Sequence, residues 1–241
     1  MSKKIERLWV FGDSNSTPNF LVEPKNSFWG LAARKFDIVD IFNISRAGCS
    51  LASVAHLLIS MQQQYTFESD LFLVGVPPLE RVTFFDQGKK TEYRAARLDG
   101  RTWRCDYFNT PYHLGLINWN AFSGDKNMVL HENRSWTETD ALRQIYLMSQ
   151  WLKSRNANYV ILNLSRNFDK QNQWGPTDFL LPEMLNDPNC ILFDNSYRDC
   201  NININWPADF DLLQWDGHHG ASGNQHFYDV AVRPKLEELF C

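Results

Sequence analysis

Two segments far apart in the chain carry side chains that could together activate a hydroxyl group. Ser14 follows Gly12 and Asp13 directly after a run of apolar residues, and Asp216 stands three residues before His219. A serine is a poor nucleophile until a base takes its proton, and the base works best when a carboxylate fixes its tautomer. These residue types therefore indicate acyl transfer by a Ser-His-Asp triad.

The base of this predicted triad has two candidates. In the segment Asp216-Gly217-His218-His219, an aspartate three residues before a histidine can reach back to the imidazole Nδ1. That spacing favours His219, whose Nε2 would face Ser14. His218 remains the alternative base.

The pattern of apolar segments predicts the elements that would bring these residues together. Short apolar runs predict strands, and segments with the helical period predict helices. Because the two alternate, we expect a three-layer α/β/α sandwich with a five-stranded parallel sheet in the order 2-1-3-4-5. In such a sheet ligands bind at the carboxyl ends of the strands near the switch point, where Ser14 stands. The predicted strands are residues 8–11, 38–44, 71–76, 159–164 and 190–193, and the predicted helices are residues 27–36, 51–65, about 135–155 (opening with a capping box of Ser135 and Glu138) and about 222–240.

Two insertions interrupt this alternation within one predicted domain that spans residues 1–241. Residues from about 79 to 134 mix many aromatic side chains with charged and turn residues. We expect this insertion to form a lid or cap, partly helical or hairpin, over the carboxyl edge of the sheet. The second insertion is polar and covers about residues 165–189.

Composition disfavours several classes of protein. Hydrophobic residues make up 44% of the chain, which favours a sizeable core over disorder. The formal net charge of −4 gives no electrostatic reason to expect a nucleic acid or a membrane surface as partner. No apolar run approaches the ~20 residues of a membrane span, and the apolar stretch near the N-terminus is too short for a signal peptide. The five cysteines form no C-x-x-C pair, which fits reduced thiols and a cytoplasmic or otherwise reducing location.

The motifs and their order resemble those of the SGNH (GDSL-like) hydrolases, a family of esterases, lipases, carbohydrate deacetylases and some acyltransferases. The segment from Val10 to Ser14 is similar to the family's first block, and the segment from Asp216 to His219 is similar to its last block. The resemblance implies that Ser14 is the nucleophile. It also implies that the N–H of Gly48, which stands in the second-block position, helps to hold the oxyanion.

This chain departs from the family pattern at two places. The family's third block contains an Asn that completes the oxyanion hole, whereas the third predicted strand here leads into Pro77, which has no hydrogen to donate. The family also usually has a glycine five residues after the histidine, and Gly223 has that spacing only from His218. Loss of one oxyanion donor costs on the order of 10²–10³ in rate. The candidate replacement donors are Asn15, Arg46, Arg81 and a main-chain amide of the first insertion.

The sequence therefore predicts a serine hydrolase of carboxylic esters, of the esterase or carbohydrate O-deacetylase type, with an activity lowered by a non-standard oxyanion hole. Its partner would be a small-molecule or carbohydrate ester, and acyl transfer in place of hydrolysis stays open. The alternative is a binding or structural module of the same fold with weak or no catalysis. We expect no cofactor and no metal, because Asp-x-His-His is not a recurrent ligand spacing.

Overall fold

The computed structural model describes residues 4–17, 22–46, 49–77, 82–87, 91–97, 103–108, 112–117, 134–164, 180–192 and 220–240. Within these ranges the strands are β1 (Arg7–Phe11), β2 (Asp40–Asn43), β3 (Asp70–Val76), β4 (Val82–Gln87), β5 (Thr91–Arg97), β6 (Trp103–Phe108), β7 (Tyr112–Ile117), β8 (Asn158–Asn163) and β9 (Cys190–Ile191). The helices are α1 (Phe28–Lys35), α2 (Leu51–Ser60), α3 (Arg134–Ser154), α4 (Leu180–Leu185), α5 (Ala221–Phe227) and α6 (Arg233–Phe240), with a π-helical segment (Tyr228–Val232) joining the last two.

Five parallel strands form the centre of the fold, in the order β2-β1-β3-β8-β9. In chain order these are strands 2-1-3-4-5, so the predicted topology is confirmed. In the register, Leu8 of β1 lies opposite Ile41 of β2 on one side and Leu71 of β3 on the other. The switch point therefore lies at β1, because β2 and β3 flank it on opposite sides.

The first insertion adds strands that the sequence did not predict individually. β5 pairs antiparallel with β2, and β6 pairs antiparallel with β5, so the complete sheet has seven strands. β4 and β7 form a separate antiparallel pair. The prediction of five strands therefore describes only the parallel part of the sheet. Whether this insertion acts as a lid stays a prediction.

Two apolar clusters lie on opposite faces of the sheet, because alternate residues of each strand point to opposite sides. One cluster packs the strands against α2 and α3, and the other packs them against α1 and the C-terminal helices. This arrangement confirms the three-layer sandwich. The first cluster takes Trp9, Phe11, Phe72, Val74, Tyr159 and Ile161 from the sheet, and the second takes Leu8, Val10, Leu71, Leu73, Val160 and Leu162.

Serine side chains cap the first two helices. The Ser27 hydroxyl accepts a hydrogen bond from Gly30 N at 3.1 Å at the start of α1, and Ser50 accepts one from Ser53 N at 3.3 Å at the start of α2. Such caps satisfy main-chain donors that have no partner within the helix. The capping box predicted at Ser135 is wrong for α3. The helix begins at Arg134, so Ser135 lies within the first turn and not before it.

A buried ionic cluster joins β1 to β3 at the amino edge of the sheet. Asp70 is fully buried, and Arg7 donates to its two carboxylate oxygens at 2.6 and 2.9 Å. Trp9 Nε1 and Thr66 N donate to the same carboxylate at 3.0 and 2.7 Å. These bonds satisfy the buried charge and lie at the opposite edge from Ser14.

Among the helices of the described ranges, none combines the length and the apolar character needed to cross a membrane.

Candidate active site

Ser14 lies on a turn that begins where β1 ends, and Asp13 holds this turn closed. The buried Asp13 carboxylate accepts hydrogen bonds from Asn15 N at 3.0 Å and from Asn15 Nδ2 at 3.3 Å. The Asp13 carbonyl accepts from the main-chain nitrogens of Ser16 and Thr17 at 3.0 and 3.1 Å. Ser14 itself stays partly exposed. The turn therefore fixes the main chain around a hydroxyl that solvent can reach.

Gly12 is required at the start of this turn because two side chains approach it closely. A Cβ at this position would lie 2.7 Å from Ser16 Oγ and 3.2 Å from Leu164 Cδ1. A side chain at residue 12 would therefore push the turn away from the sheet. Close packing therefore favours glycine at this position.

The loop after β2 lies against the Ser14 turn through main-chain contacts. Ile44 N donates to Val10 O at 2.8 Å, and Arg46 N donates to Gly12 O at 3.1 Å. These bonds continue the pairing of β1 and β2 beyond the ends of the strands. They place the main chain of Arg46 beside the residue that opens the Ser14 turn.

Asn43, the last residue of β2, joins the two loops through its side chain. Its Nδ2 donates to Ser16 O at 2.6 Å, and its Oδ1 accepts from Ser45 N at 3.0 Å. Asn43 is almost completely buried. We did not identify it from the sequence. The one signal there was a polar amide within an otherwise apolar strand end.

Three polar atoms in these two loops are buried and have no hydrogen-bond partner among the described residues. They are Ser16 Oγ, Ser45 Oγ and Arg46 Nη1. Buried polar groups are ordinarily paired, so three exceptions side by side set this edge of the sheet apart. The loops after β1 and β2 therefore present donors that no described residue uses.

The end of β3 forms the other flank of the site. Pro77 follows the strand, is buried, and has neither an N–H nor a polar side chain. Two residues earlier, a Cβ on Gly75 would lie 2.2 Å from Leu164 Cδ1, so β3 and the end of β8 pack too closely for any side chain there. This flank therefore supplies no side-chain donor from residues 70–77 at the place where the resembled family has its Asn.

Asn224 of α5 anchors the end of the segment that carries the predicted base. Its Nδ2 donates to Gly220 O at 3.0 Å, and its Oδ1 accepts from Phe28 N at 3.0 Å. Gly220 directly follows His219 in the chain. Gly220 is therefore tied through Asn224 to the first turn of α1. The sequence showed no signal for this role of Asn224.

Ser14, Asn15 and Arg46 are the predicted site residues that fall within the described ranges, and Ser14 and Asn15 are neighbours on one turn. The Asn15 side-chain amide is already bonded to Asp13. The approach of the triad members to one another stays a prediction. Among the residues that the structure describes, no three of the types His, Cys, Asp and Glu cluster as a metal site. The predicted site residues outside the described ranges are Gly48, Arg81, Asp216, His218 and His219.

Comparisons with known proteins bear on the fold. No family model and no curated protein sequence matches the chain. Among solved structures, one titled TesA is similar, with a TM-score of 0.53 and 12% identity over 98% of this chain and 100% of that chain. A member of the lipolytic protein G-D-S-L family from Veillonella parvula DSM 2008 has a TM-score of 0.47 and 12% identity over 98% of both chains. The psychrotrophic esterase EstA from Pseudoalteromonas sp. has a TM-score of 0.49 and 12% identity over 97% of both chains. The strand order and the end-to-end likeness to TesA together show that this protein has the α/β fold of the SGNH-type hydrolases.

Proposed function

We propose that the protein is a serine hydrolase of carboxylic esters in which Ser14 is the nucleophile. The observation that carries this proposal is the position of Ser14. It lies on a turn closed by Asp13, directly after the strand at the switch point of a parallel sheet. In open α/β sheets this edge is where ligands bind. The SGNH-type fold supports the same role by analogy.

In the proposed reaction the Ser14 oxygen attacks the ester carbonyl carbon while His219 takes the serine proton. Asp216 orients the imidazole and stabilises its charged form, and His218 is the alternative base. The intermediate expels the alcohol, which receives the proton from the imidazolium, and an acyl-serine remains. Water then attacks this acyl group and gives its proton to the same imidazole. The second intermediate breaks its bond to the Ser14 oxygen, which takes the proton back from the imidazolium, and the carboxylic acid is released. The N–H groups of Ser14 and Gly48 would stabilise the oxyanion.

The anchoring of Asn224 supports this assignment of the base. Its hydrogen bonds hold Gly220, which directly follows His219 in the chain, to the helix that follows the Ser14 turn. A general base has to stay within hydrogen-bond reach of the hydroxyl that it activates. We propose a small-molecule or carbohydrate ester as the substrate.

A binding module without efficient catalysis is the second candidate function. The observation that favours it is Pro77, which is buried at the end of β3 and has no N–H. An oxyanion hole that lacks a donor lowers the rate by on the order of 10²–10³. In this case the protein would bind an ester or sugar at the same edge without turning it over.

Hydrolysis of a series of p-nitrophenyl esters, from acetyl to octanoyl, separates these two functions. We expect the wild-type protein to hydrolyse at least one ester and Ser14→Ala to reduce kcat to the background rate. Ser69→Ala is the control, because Ser69 lies at the opposite edge of the sheet. His219→Ala should remove most of the activity and His218→Ala should not, whereas the reverse result would reassign the base. Equal activity of Ser14→Ala and wild type would refute the proposed nucleophile.

A further inference from the structure

The main chain of Arg46 lies beside the Ser14 turn, and one nitrogen of its positive side chain has no partner among the described residues. Its main-chain nitrogen donates to Gly12 O at 3.1 Å, and Gly12 stands two residues before Ser14 in the chain. Its guanidinium Nη1 is buried and has no hydrogen-bond partner among the described residues. None of the ion pairs within the described ranges involves Arg46 either.

A buried guanidinium nitrogen without an acceptor is unfavourable, because it loses its hydration without compensation. A negative oxygen that reaches this nitrogen during function would supply the missing acceptor. The proposed reaction at Ser14 produces such an oxygen, since attack on an ester turns the carbonyl oxygen into an alkoxide. The charge of Arg46 and the charge of the intermediate are therefore complementary.

The other side chains around this edge are weaker candidates for the same role. Pro77 has no hydrogen to donate, and one hydrogen of the Asn15 amide is used by Asp13. Ser16 Oγ and Ser45 Oγ are buried without partners, but hydroxyl groups are neutral. A hydrogen bond from a charged donor to an oxyanion is about twice as strong as a neutral one.

We propose that Arg46 donates a hydrogen bond to the oxyanion and takes the place of the absent third donor. This assignment rests on the proposed function of Ser14. Arg46 is then a catalytic residue, because its guanidinium touches the reacting oxygen. Because the alkoxide forms only during the reaction, the contribution of Arg46 appears in kcat and leaves KM nearly unchanged.

The test compares Arg46→Ala and Arg46→Lys with wild type on an uncharged acetyl ester. We expect Arg46→Ala to lower kcat by on the order of 10²–10³ with little change in KM, and Arg46→Lys to lose less. Added guanidinium ion should restore part of the activity of Arg46→Ala, which a merely structural role of the side chain would not allow. Arg34→Ala is the control, because Arg34 is an exposed arginine of α1.

Four results would overturn the proposal. The first is an unchanged kcat in Arg46→Ala while Ser14→Ala is inactive, and this leaves the proposed function intact. The second is a rise in KM confined to negatively charged esters, because it would assign Arg46 to substrate recognition. The third is a loss of activity in Arg46→Ala that follows a lowered Tm and is not rescued by guanidinium. The fourth is an inactive wild-type protein whose Ser14 does not react with an organophosphonate, and in that case the proposed function fails as well.

Discussion

The side chain of Asn43 should govern both the stability of the fold and the reactivity of Ser14. Replacing Asn43 by Ala removes its hydrogen bonds to Ser16 O at 2.6 Å and from Ser45 N at 3.0 Å. A buried group left without its partner costs ~1–3 kcal/mol. Because Ser45 is partly exposed and its amide can regain some hydration, we expect Asn43→Ala to lower the free energy of unfolding by about 2–3 kcal/mol.

The same substitution removes the side-chain link between the Ser14 turn and the loop that carries Arg46, and leaves only the main-chain bonds of Ile44 and Arg46. A displacement of about 1 Å in a reacting group can cost roughly 10²-fold in rate. We therefore expect kcat/KM for the best ester to fall by about 10- to 100-fold in Asn43→Ala. Chemical denaturation measures the first effect, and initial rates with p-nitrophenyl esters measure the second.

Asn163 offers a matched control for Asn43. It also ends a strand and is almost completely buried, and its Nδ2 donates to Leu192 O at 2.6 Å. This bond joins β8 to the residue after β9. Asn163→Ala should lose a similar amount of stability but keep a larger share of its activity. If both variants lose stability and activity in the same proportion, Asn43 has no specific role in positioning Ser14.

Three further substitutions test packing and electrostatics elsewhere in the fold. Gly75→Ala should lower the free energy of unfolding by about 1–3 kcal/mol, because the new Cβ overlaps the buried Leu164 side chain. An unchanged denaturation midpoint would show that the Leu164 side chain can move aside without cost. Asn224→Leu leaves the Phe28 amide of α1 unpaired and removes one of the two hydrogen bonds to the carbonyl before α5, so we expect a loss of about 1–3 kcal/mol and a lowered kcat. A stable but slow variant would show that the anchor serves the site alone. Burial raises the pKa of Asp187, but hydrogen bonds from Lys153 and neighbouring groups outweigh burial and hold this pKa below its ordinary value. The ionised carboxylate therefore stabilises the fold above about pH 4, and this stability is lost as the pH falls through the lowered pKa. Asp187→Asn should have a lower free energy of unfolding than wild type at pH 7. Its free energy of unfolding should also fall less steeply than that of wild type as the pH is lowered.

The parallel core could be predicted because its signals are local. Strands buried on both faces appear as uninterrupted apolar runs, and the helices between them show their own period. The short run from Leu8 to Phe11 and the longer run before Pro77 are examples, and both form neighbouring strands of the sheet. The position of Ser14 at the carboxyl edge follows directly from these two signals.

The antiparallel strands of the first insertion could not be predicted in the same way. The strand from Thr91 to Arg97 contains charged and small residues and has no apolar alternation. Its place in the sheet depends on main-chain pairing with β2, which a sequence pattern does not reveal. The roles of Asn43 and Asn224 were missed for a related reason, since each depends on a partner in another loop or helix.

Reaction with a fluorophosphonate probe tests the central claim most directly, because the probe forms a bond only with an activated serine. Mass spectrometry of the digested protein then identifies the modified residue. We predict a single adduct on the peptide that contains Ser14, absent from Ser14→Ala and retained in Ser69→Ala. An unmodified protein under conditions that label a known serine esterase, or an adduct on another serine, would contradict the assignment of Ser14 as the nucleophile.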